Sequence, residues 1–181
     1  MWPEGEAIVR TLLAARPDDV ENLLMAGTGQ ILAGMREREP EDRVVRFRAA
    51  RPHLGKAYAL DKEDFRPLYA YALARSVEPE FPTDNDMTVL LEARALAPSV
   101  QENALRAGLA LLKKGRLEDA RRVLAPVINN PHAGAFAAQA RALLAGRSEA
   151  EAQAAAKAAE AEEAAEPASP PRPGAPAQPA A

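Results

Sequence analysis

Residues 101–131 read QENALRAGLALLKKGRLEDARRVLAPVINNP, and this stretch decides the fold of the chain. Apolar residues recur every three or four positions on both sides of Gly115, which places them on one face of an α-helix. Glycine ends helices readily and proline does not continue them, so Gly115 and Pro131 mark breaks. The stretch therefore predicts two amphipathic helices joined by a short turn, the second from Leu117 to about Ile128.

The same spacing continues over nearly all of the chain before Gly146 and predicts eight helices in total. The third carries Pro52 in its span, so it is kinked there or split in two. Asp84 or Asp86 is expected to cap the fifth helix, and Ser99 the sixth, with Glu102 completing a capping box. The remaining predicted helices cover about 4–15, 20–33, 65–76 and 134–144.

Composition supports an all-α chain. Hydrophobic residues make up 48% of the 181 residues, but alanine supplies much of this and aromatic residues only 4%. Alanine is the best helix former, and the alternating apolar pattern of strands is missing. The net charge of −3 by itself implies no nucleic acid or acidic lipid as partner. Without cysteine, the sequence excludes a disulfide framework and thiolate metal sites.

The C-terminal part of the sequence changes character. After Leu144 there is no valine, isoleucine, leucine, methionine or aromatic residue. Residues 148–166 are rich in alanine and glutamate, and Ser148 with Glu151 fits a capping box. Residues 167–181 are rich in proline and alanine, which is typical of disorder. We therefore predict a helical domain over residues 1–146 and a weakly helical to disordered tail over residues 147–181.

Short patterns recur along the chain, which indicates an internal repeat. Three of them are clear: Gly27 and Gly34 return as Gly108 and Gly115, Ala50 and Leu54 return as Ala120 and Leu124, and Leu54 and Ala57 return as Leu90 and Ala93. Small residues at these positions allow two helices to approach closely, and leucine fills the seam between them.

This pattern resembles the tetratricopeptide repeat, a pair of helices A and B repeated every 34 residues. The resemblance covers about residues 5–131 and is strongest over 101–131. Gly27 and Gly108 match the small residue of helix A, and Ala74 is the candidate in the middle unit. The resemblance implies a right-handed α-solenoid of helical hairpins whose A helices line a groove for a peptide or protein partner.

In this register, the first predicted helix is a helix B without a preceding helix A, and Pro17 matches the proline that closes a unit. Three interpretations follow. The first helix caps the stack, or the chain is the C-terminal part of a longer protein, or the true start of the protein lies upstream.

Residues that could carry catalysis are sparse, so we predict no enzyme activity, no cofactor and no metal site. Only His53 and His132 occur, and neither has a ligand partner at helical spacing. The Asp84-Asn85-Asp86 segment lacks the glycine and the distal glutamate of an EF-hand loop. No pairing of a nucleophile with a base is indicated.

The residues predicted to bind a partner come from the A helices that the resemblance implies. Exposed aromatic residues anchor interfaces, and Tyr69 and Tyr71, two positions apart, cannot share one helix face. We expect Tyr69 to point away from the core, three residues after Arg66. The predicted partner-binding set is Arg66, Tyr69, Leu105 and Leu109.

A basic cluster offers an alternative site, at Arg43, Arg46, Arg48, Arg51 and Lys56. It could contact phosphate groups of a nucleic acid. We favour instead a solvated helix face beside the acidic residues of 37–42, and so predict no nucleic-acid partner.

The sequence thus predicts a protein–protein interaction module that binds a peptide or protein. The alternative is an accessory C-terminal repeat region of a larger bacterial protein, an enzyme or a membrane-associated assembly factor, whose chemistry lies elsewhere. An alanine, arginine and proline bias is typical of a high-GC genome. No signal peptide or membrane-spanning segment is visible in the sequence, which predicts a cytoplasmic protein without direct membrane insertion.

Overall fold

The computed structural model describes residues 3–165 of the chain. Within these residues the backbone forms nine α-helices and no β-strand, which confirms the predicted all-α class. In chain order they are α1 (Pro3–Ala15), α2 (Val20–Gly34), α3 (Pro40–Leu60), α4 (Arg66–Arg75), α5 (Asp84–Leu96), α6 (Gln101–Lys113), α7 (Leu117–Ile128), α8 (Gly134–Leu144) and α9 (Glu149–Ala165).

Helix α3 differs most from its prediction. It begins at Pro40, within the acidic stretch of residues 37–42, and proline suits a first helical turn. It then continues through Pro52 as one helix of 21 residues. Phe47 and Leu54 are buried on either side of Pro52, so packing holds both parts of the helix in place. The bounds of α7 and α8, by contrast, are those that the sequence predicts.

Two predicted helix caps are wrong. The N-cap of α5 is Thr83, which forms a capping box with Asp86, because the helix begins one residue after the threonine. The N-cap of α6 is Val100, which supplies no side-chain hydrogen bond, so Ser99 does not cap this helix. The box of Ser148 and Glu151 at the start of α9 is confirmed, with the Glu151 carboxylate accepting from both Ser148 donors.

Glycine sets the distance between paired helices at two equivalent places. A Cβ added to Gly27 in α2 would lie 2.5 Å from Leu54 of α3. A Cβ added to Gly108 in α6 would lie 2.6 Å from Leu124 of α7. Both leucines are fully buried, at 0% exposure. The predicted small-residue crossings therefore occur, and a leucine of the second helix fills the space that each glycine leaves.

Asn22 and Asn103 reveal the same repeat at an interval of 81 residues. The Asn22 side chain donates to the Leu12 carbonyl at 3.3 Å, and the Asn103 side chain donates to the Ala93 carbonyl at 3.1 Å. Each bond reaches ten residues back, from the start of one helix to the preceding helix. Gly27 and Gly108 are also 81 residues apart. Helices α1, α2 and α3 therefore correspond to α5, α6 and α7.

The middle pair, α4 and α5, departs from this pattern in its chemistry. Asp86 of α5 occupies a buried position, at 1% exposure, and Arg75 of α4 pairs with its carboxylate at 3.0 Å. Burial acts to raise the pKa of Asp86, but hydrogen bonds from Arg75 and Thr83 outweigh it and hold that pKa below its usual value. This ion pair links α4 to α5, and the two flanking hairpins have no equivalent buried carboxylate among the described residues.

The turn that joins α8 to α9 has the same backbone geometry as the turn that joins α6 to α7. Gly115 before α7 and Gly146 before α9 both have positive φ, +70° and +79°. In both turns the glycine N–H donates three residues back and the next N–H donates five residues back, at 2.9–3.1 Å. This is the Schellman motif, which favours glycine because of its left-handed backbone.

An alanine seam joins α9 to α8. Ala152 is fully buried, and Ala155 packs against the core cluster that includes α8. The sequence predicts a domain end near Gly146 because large apolar residues stop there, yet α9 contacts α8 extensively. Alanine residues can hold two helices together without large apolar side chains, because a methyl group lets the two backbones come close. Residues 166–181, which include the whole proline- and alanine-rich segment predicted to be disordered, lie outside the described residues.

The core divides into two clusters that share α4. Ala70 and Ala74 belong to the cluster of α2, α3 and α4, whereas Ala72 belongs to the cluster that continues to α9. Small residues on both faces let α4 lie between its neighbours. The right-handed solenoid implied by the resemblance stays a prediction. None of the helices within residues 3–165 combines the length and the apolar character required to cross a membrane.

The glycine crossing predicts the effect of one methyl group. Gly108→Ala should destabilise the fold by about 1–3 kcal/mol, because the buried Leu124 cannot move aside. Gly55→Ala in α3 is the matched control, since its Cβ would meet nothing within 4 Å. It should be neutral or stabilise by up to about 1 kcal/mol through higher helix propensity. Urea unfolding measures both variants, and a Gly108→Ala variant as stable as Gly55→Ala would contradict the crossing.

Docking of α9 predicts the effect of shortening the chain. A chain ending at Gly146 loses the cover over α8 and should melt at least about 2–4 °C lower, the shift for a loss of about 1 kcal/mol in a domain of this size. A chain ending at Ala165 keeps α9 and is the control. Calorimetry compares the two midpoints, and equal midpoints would show that α9 contributes no stability.

Candidate functional site

A cleft runs along α6, between α4 on one side and α8 with α9 on the other. Helix α6 presents one continuous stripe to it, because positions separated by three or four residues share a helix face. The stripe consists of Glu102, Leu105, Arg106, Leu109 and Lys113. Leu105 is buried and forms the floor, whereas Arg106 and Leu109 are half-buried and accessible.

Helix α4 forms the first wall. Tyr69 lines the cleft, and the Arg106 guanidinium lies 6.0 Å from the centre of its ring. This is the outer limit at which a cation is attracted to an aromatic face. Leu73 and Ser76 extend the wall along α4, and Phe81 follows from the loop after it.

Helices α8 and α9 form the opposite wall. Phe136 of α8 is 36% exposed and faces the cleft, beside Gln139 and the buried Leu143. Glu149 in the first turn of α9 lies 3.6 Å from Lys113 of α6, which ties this wall to the stripe. Helix α9 thus contributes directly to the cleft through its first residues.

The cleft holds two adjoining cavities, of about 90 Å³ and about 110 Å³. They share Arg106, Leu109 and Glu149, so they form one continuous depression. Sites for small molecules and cofactors usually enclose about 300–1,000 Å³. These cavities therefore fit single side chains of a bound polypeptide better than a cofactor.

Three of the four predicted partner-binding residues meet in this cleft: Tyr69, Leu105 and Leu109. Arg66 does not join them. Its guanidinium binds Asp64 at 2.8 Å and Glu21 of α2 at 2.5 Å, and these hydrogen bonds raise the pKa of Arg66. The Arg66 side chain therefore binds within the chain itself, to Glu21, which lies 45 residues earlier.

Sequence reasoning missed most of the other residues that line the cleft, among them Arg106 and Phe136. Arg106 could have been found, because it lies three residues before Leu109 and seven before Lys113 on one helix face. The sequence gives no sign that Phe136 is accessible, because a phenylalanine in an apolar helix is expected to face the interior. Only the position of α8 beside α6 shows that its ring remains accessible.

The two histidines lie in different parts of the fold. Within residues 3–165, no three histidine or acidic residues are placed to hold a metal ion. His132 is exposed in the turn before α8, where its backbone N–H donates to Asn130 at 2.9 Å. His53 lies in α3, and burial lowers the pKa of its imidazole.

The basic cluster of α3 is largely neutralised by contacts within the chain. Arg48 binds both carboxylate oxygens of Glu78 at 2.9 Å, and Arg51 binds the same carboxylate and the Ala74 carbonyl. Glu78 is only 8% exposed, and these bonds lower its pKa to about 2. Lys56 binds Asp18 at 2.7 Å. These side chains stabilise the contact of α3 with its neighbours rather than forming a free basic surface.

No protein-family model, curated protein or solved structure matches this chain. The likeness to tetratricopeptide repeats therefore stays a prediction, based on the recurring residues and on the helical pairs described above.

The Glu78 contacts predict how stability depends on pH. The pKa of Glu78 falls from its ordinary 4.5 to about 2 on folding, so its ion pairs stabilise the fold fully above about pH 4.5. That contribution is lost as the pH falls towards 2. Glu78→Gln should lower the melting midpoint at pH 7. The difference in midpoint between this variant and the unaltered chain should shrink as the pH falls below 4.5. Thermal unfolding across this range measures the difference.

The control for this prediction is Glu63→Gln, at an exposed position between α3 and α4. It should differ little from the unaltered chain at any pH. If the midpoint of Glu78→Gln stayed below that of the unaltered chain by a constant amount down to pH 2, ionisation of Glu78 would contribute nothing to folding stability.

Proposed function

We propose that this chain is a protein-interaction module of the tetratricopeptide type that binds an extended peptide or a helix of a partner protein in the cleft along α6. One observation carries the proposal. Tyr69, Leu109 and Phe136, from three different helices, offer accessible apolar surface to the same cleft.

The lining of the cleft suits recognition of a polypeptide. Aromatic and arginine side chains dominate the binding energy of protein interfaces, and Tyr69, Arg106 and Phe136 are of these types. Glu102, Gln139 and Gln153 surround them with hydrogen-bonding groups. Apolar anchors with a polar rim are the usual composition of such an interface.

The arrangement of helices supports the same function. The resemblance implies that α2, α4, α6 and α8 are the A helices, whose inner face takes the ligand. In the structure α2 contacts α4, and α6 contacts α8, although in each case an intervening helix separates them in sequence. Side-by-side contacts between A helices are expected of such a binding groove, and here α4 and α6, one helix from each contacting pair, both line the cleft.

The proposed contact set differs from the predicted one in one respect. Arg106 and Phe136 join Tyr69, Leu105 and Leu109, and Arg66 is excluded because Asp64 and Glu21 already bind it. Its role in this proposal is to hold the start of α4 against α2, so that Tyr69 keeps its place in the wall.

A random peptide library displayed on phage tests the proposal with the full chain as bait. Peptides that are selected should bind Tyr69→Ala and Phe136→Ala about 10- to 100-fold more weakly in titration calorimetry, or about 1.4–2.8 kcal/mol, the range for loss of one anchor. Each replacement removes accessible aromatic surface from the cleft while leaving the buried floor intact.

The matched control is Tyr58→Ala. Tyr58 is half-buried like Tyr69 but lies in α3, where it bonds to Glu92 outside the cleft. It should leave affinity unchanged. The proposal fails if no peptide is enriched, or if the selected peptides bind all three variants as tightly as the unaltered chain.

A further inference from the structure

A second apolar groove lies at the N-terminal end of the helices, between α1 and α2. Its volume is about 490 Å³, which is larger than either cavity of the α6 cleft. No helix within residues 3–165 fills it. We call it the α1–α2 groove, and it is lined by Glu4, Gly5, Ile8, Val9, Met25, Thr28, Gly29, Leu32 and Arg36.

Large apolar side chains on its rim are exposed to an unusual degree. Ile8 is 59% exposed, Leu32 55% and Met25 46%. Met25, Thr28 and Leu32 are spaced by three and four residues, and Met35 follows three residues later. This is the spacing of a seam that packs against another helix. The Thr28 hydroxyl bonds to the Leu24 carbonyl at 2.6 Å, so it places no unsatisfied donor on the seam.

The 81-residue register shows what such a face does elsewhere in the chain. Met25, Thr28, Gly29 and Leu32 of α2 correspond to Arg106, Leu109, Ala110 and Lys113 of α6. These α6 residues share a cavity with Leu90 of α5 and with Ala72 and Leu73 of α4. Val9 of α1 corresponds to Leu90. The α1–α2 groove is therefore the counterpart of the cavity that α4, α5 and α6 line together.

We propose that a second copy of this chain occupies the α1–α2 groove, so that two α1–α2 hairpins form a four-helix bundle about a two-fold axis parallel to the helices. In this arrangement α1 of each copy faces α2 of the other. Facing helices run in opposite directions, as in up-and-down bundles. The inference does not depend on the proposed function, since the α1–α2 groove and the α6 cleft share no residue.

The α1–α2 hairpin is complementary in charge to a second α1–α2 hairpin, which favours a second copy of the chain over another occupant of the groove. Glu4 and Arg36 line the same groove, so the two-fold axis brings each glutamate to the other copy's arginine. Ile8 lies four residues from Glu4, and Leu32 four residues from Arg36. Both steps equal about 6 Å along a helix, so Ile8 meets Leu32 in the next layer.

The following layers also match. Thr11 and Ala15 continue along α1, and Thr28 and Met25 continue along α2 at nearly equal steps. The small Ala15 then faces the large Met25, and small against large is how helix layers interdigitate. A single acidic and a single basic residue line the α1–α2 groove, and both are paired in this arrangement.

Sedimentation equilibrium of the full chain over a wide concentration range tests the proposal. The unaltered chain should show a monomer–dimer equilibrium. Leu32→Glu should raise the dissociation constant at least about tenfold, equivalent to about 1.4 kcal/mol, by placing a carboxylate in the seam. Leu60→Glu is the matched control, at a leucine 48% exposed on α3 and outside the groove, and should leave the equilibrium unchanged.

A charge exchange tests the direction of the axis. Glu4→Arg and Arg36→Glu should each weaken the dimer, and the double variant should restore it, because the facing pair is then reversed but intact. Circular dichroism confirms that each variant remains folded. A chain that stays monomeric throughout, a dimer unaffected by Leu32→Glu, or a double variant no better than the single ones would overturn the proposal.

Discussion

Close contact between a glycine of one helix and a leucine of the next is the interaction on which the rest of the structure depends. Gly27 with Leu54 and Gly108 with Leu124 bring two helix axes so near that a single added methyl group would collide. Because the leucines are fully buried, each crossing is also a centre of the core. The distance set there fixes where the outer faces of α2 and α6 lie, and both candidate binding surfaces use those faces.

The chain adds buried ion pairs around the α4–α5 pair, whose helices are joined by a longer connection. Asp86 with Arg75, and Glu78 with Arg48 and Arg51, lie in or beside the α4–α5 pair. A buried carboxylate is costly unless hydrogen bonds compensate it, and here arginine side chains do so. These acidic and basic residues therefore hold neighbouring helices together.

The two candidate surfaces differ in chemistry although both lie between helices. The α6 cleft is narrow and combines aromatic, basic and amide side chains, which suits single residues of an extended or helical ligand. The α1–α2 groove is wide and nearly all apolar, which suits a helical pair. Because they lie on different parts of the molecule, one chain could dimerise through the first helices and bind a partner through the later ones.

The sequence by itself determined the all-α class, the positions of most helices and the glycine crossings, because a 3.6-residue period and a small residue at a fixed interval are local properties of the chain. It also predicted three residues that the structure brings together in the α6 cleft, Tyr69, Leu105 and Leu109. Tertiary structure alone decided that Arg66 binds Glu21, that Phe136 stays accessible and that α9 docks through alanine. Whether a charge is paired or an apolar side chain is covered depends on which distant segment packs against it. Helical periodicity does not specify that segment.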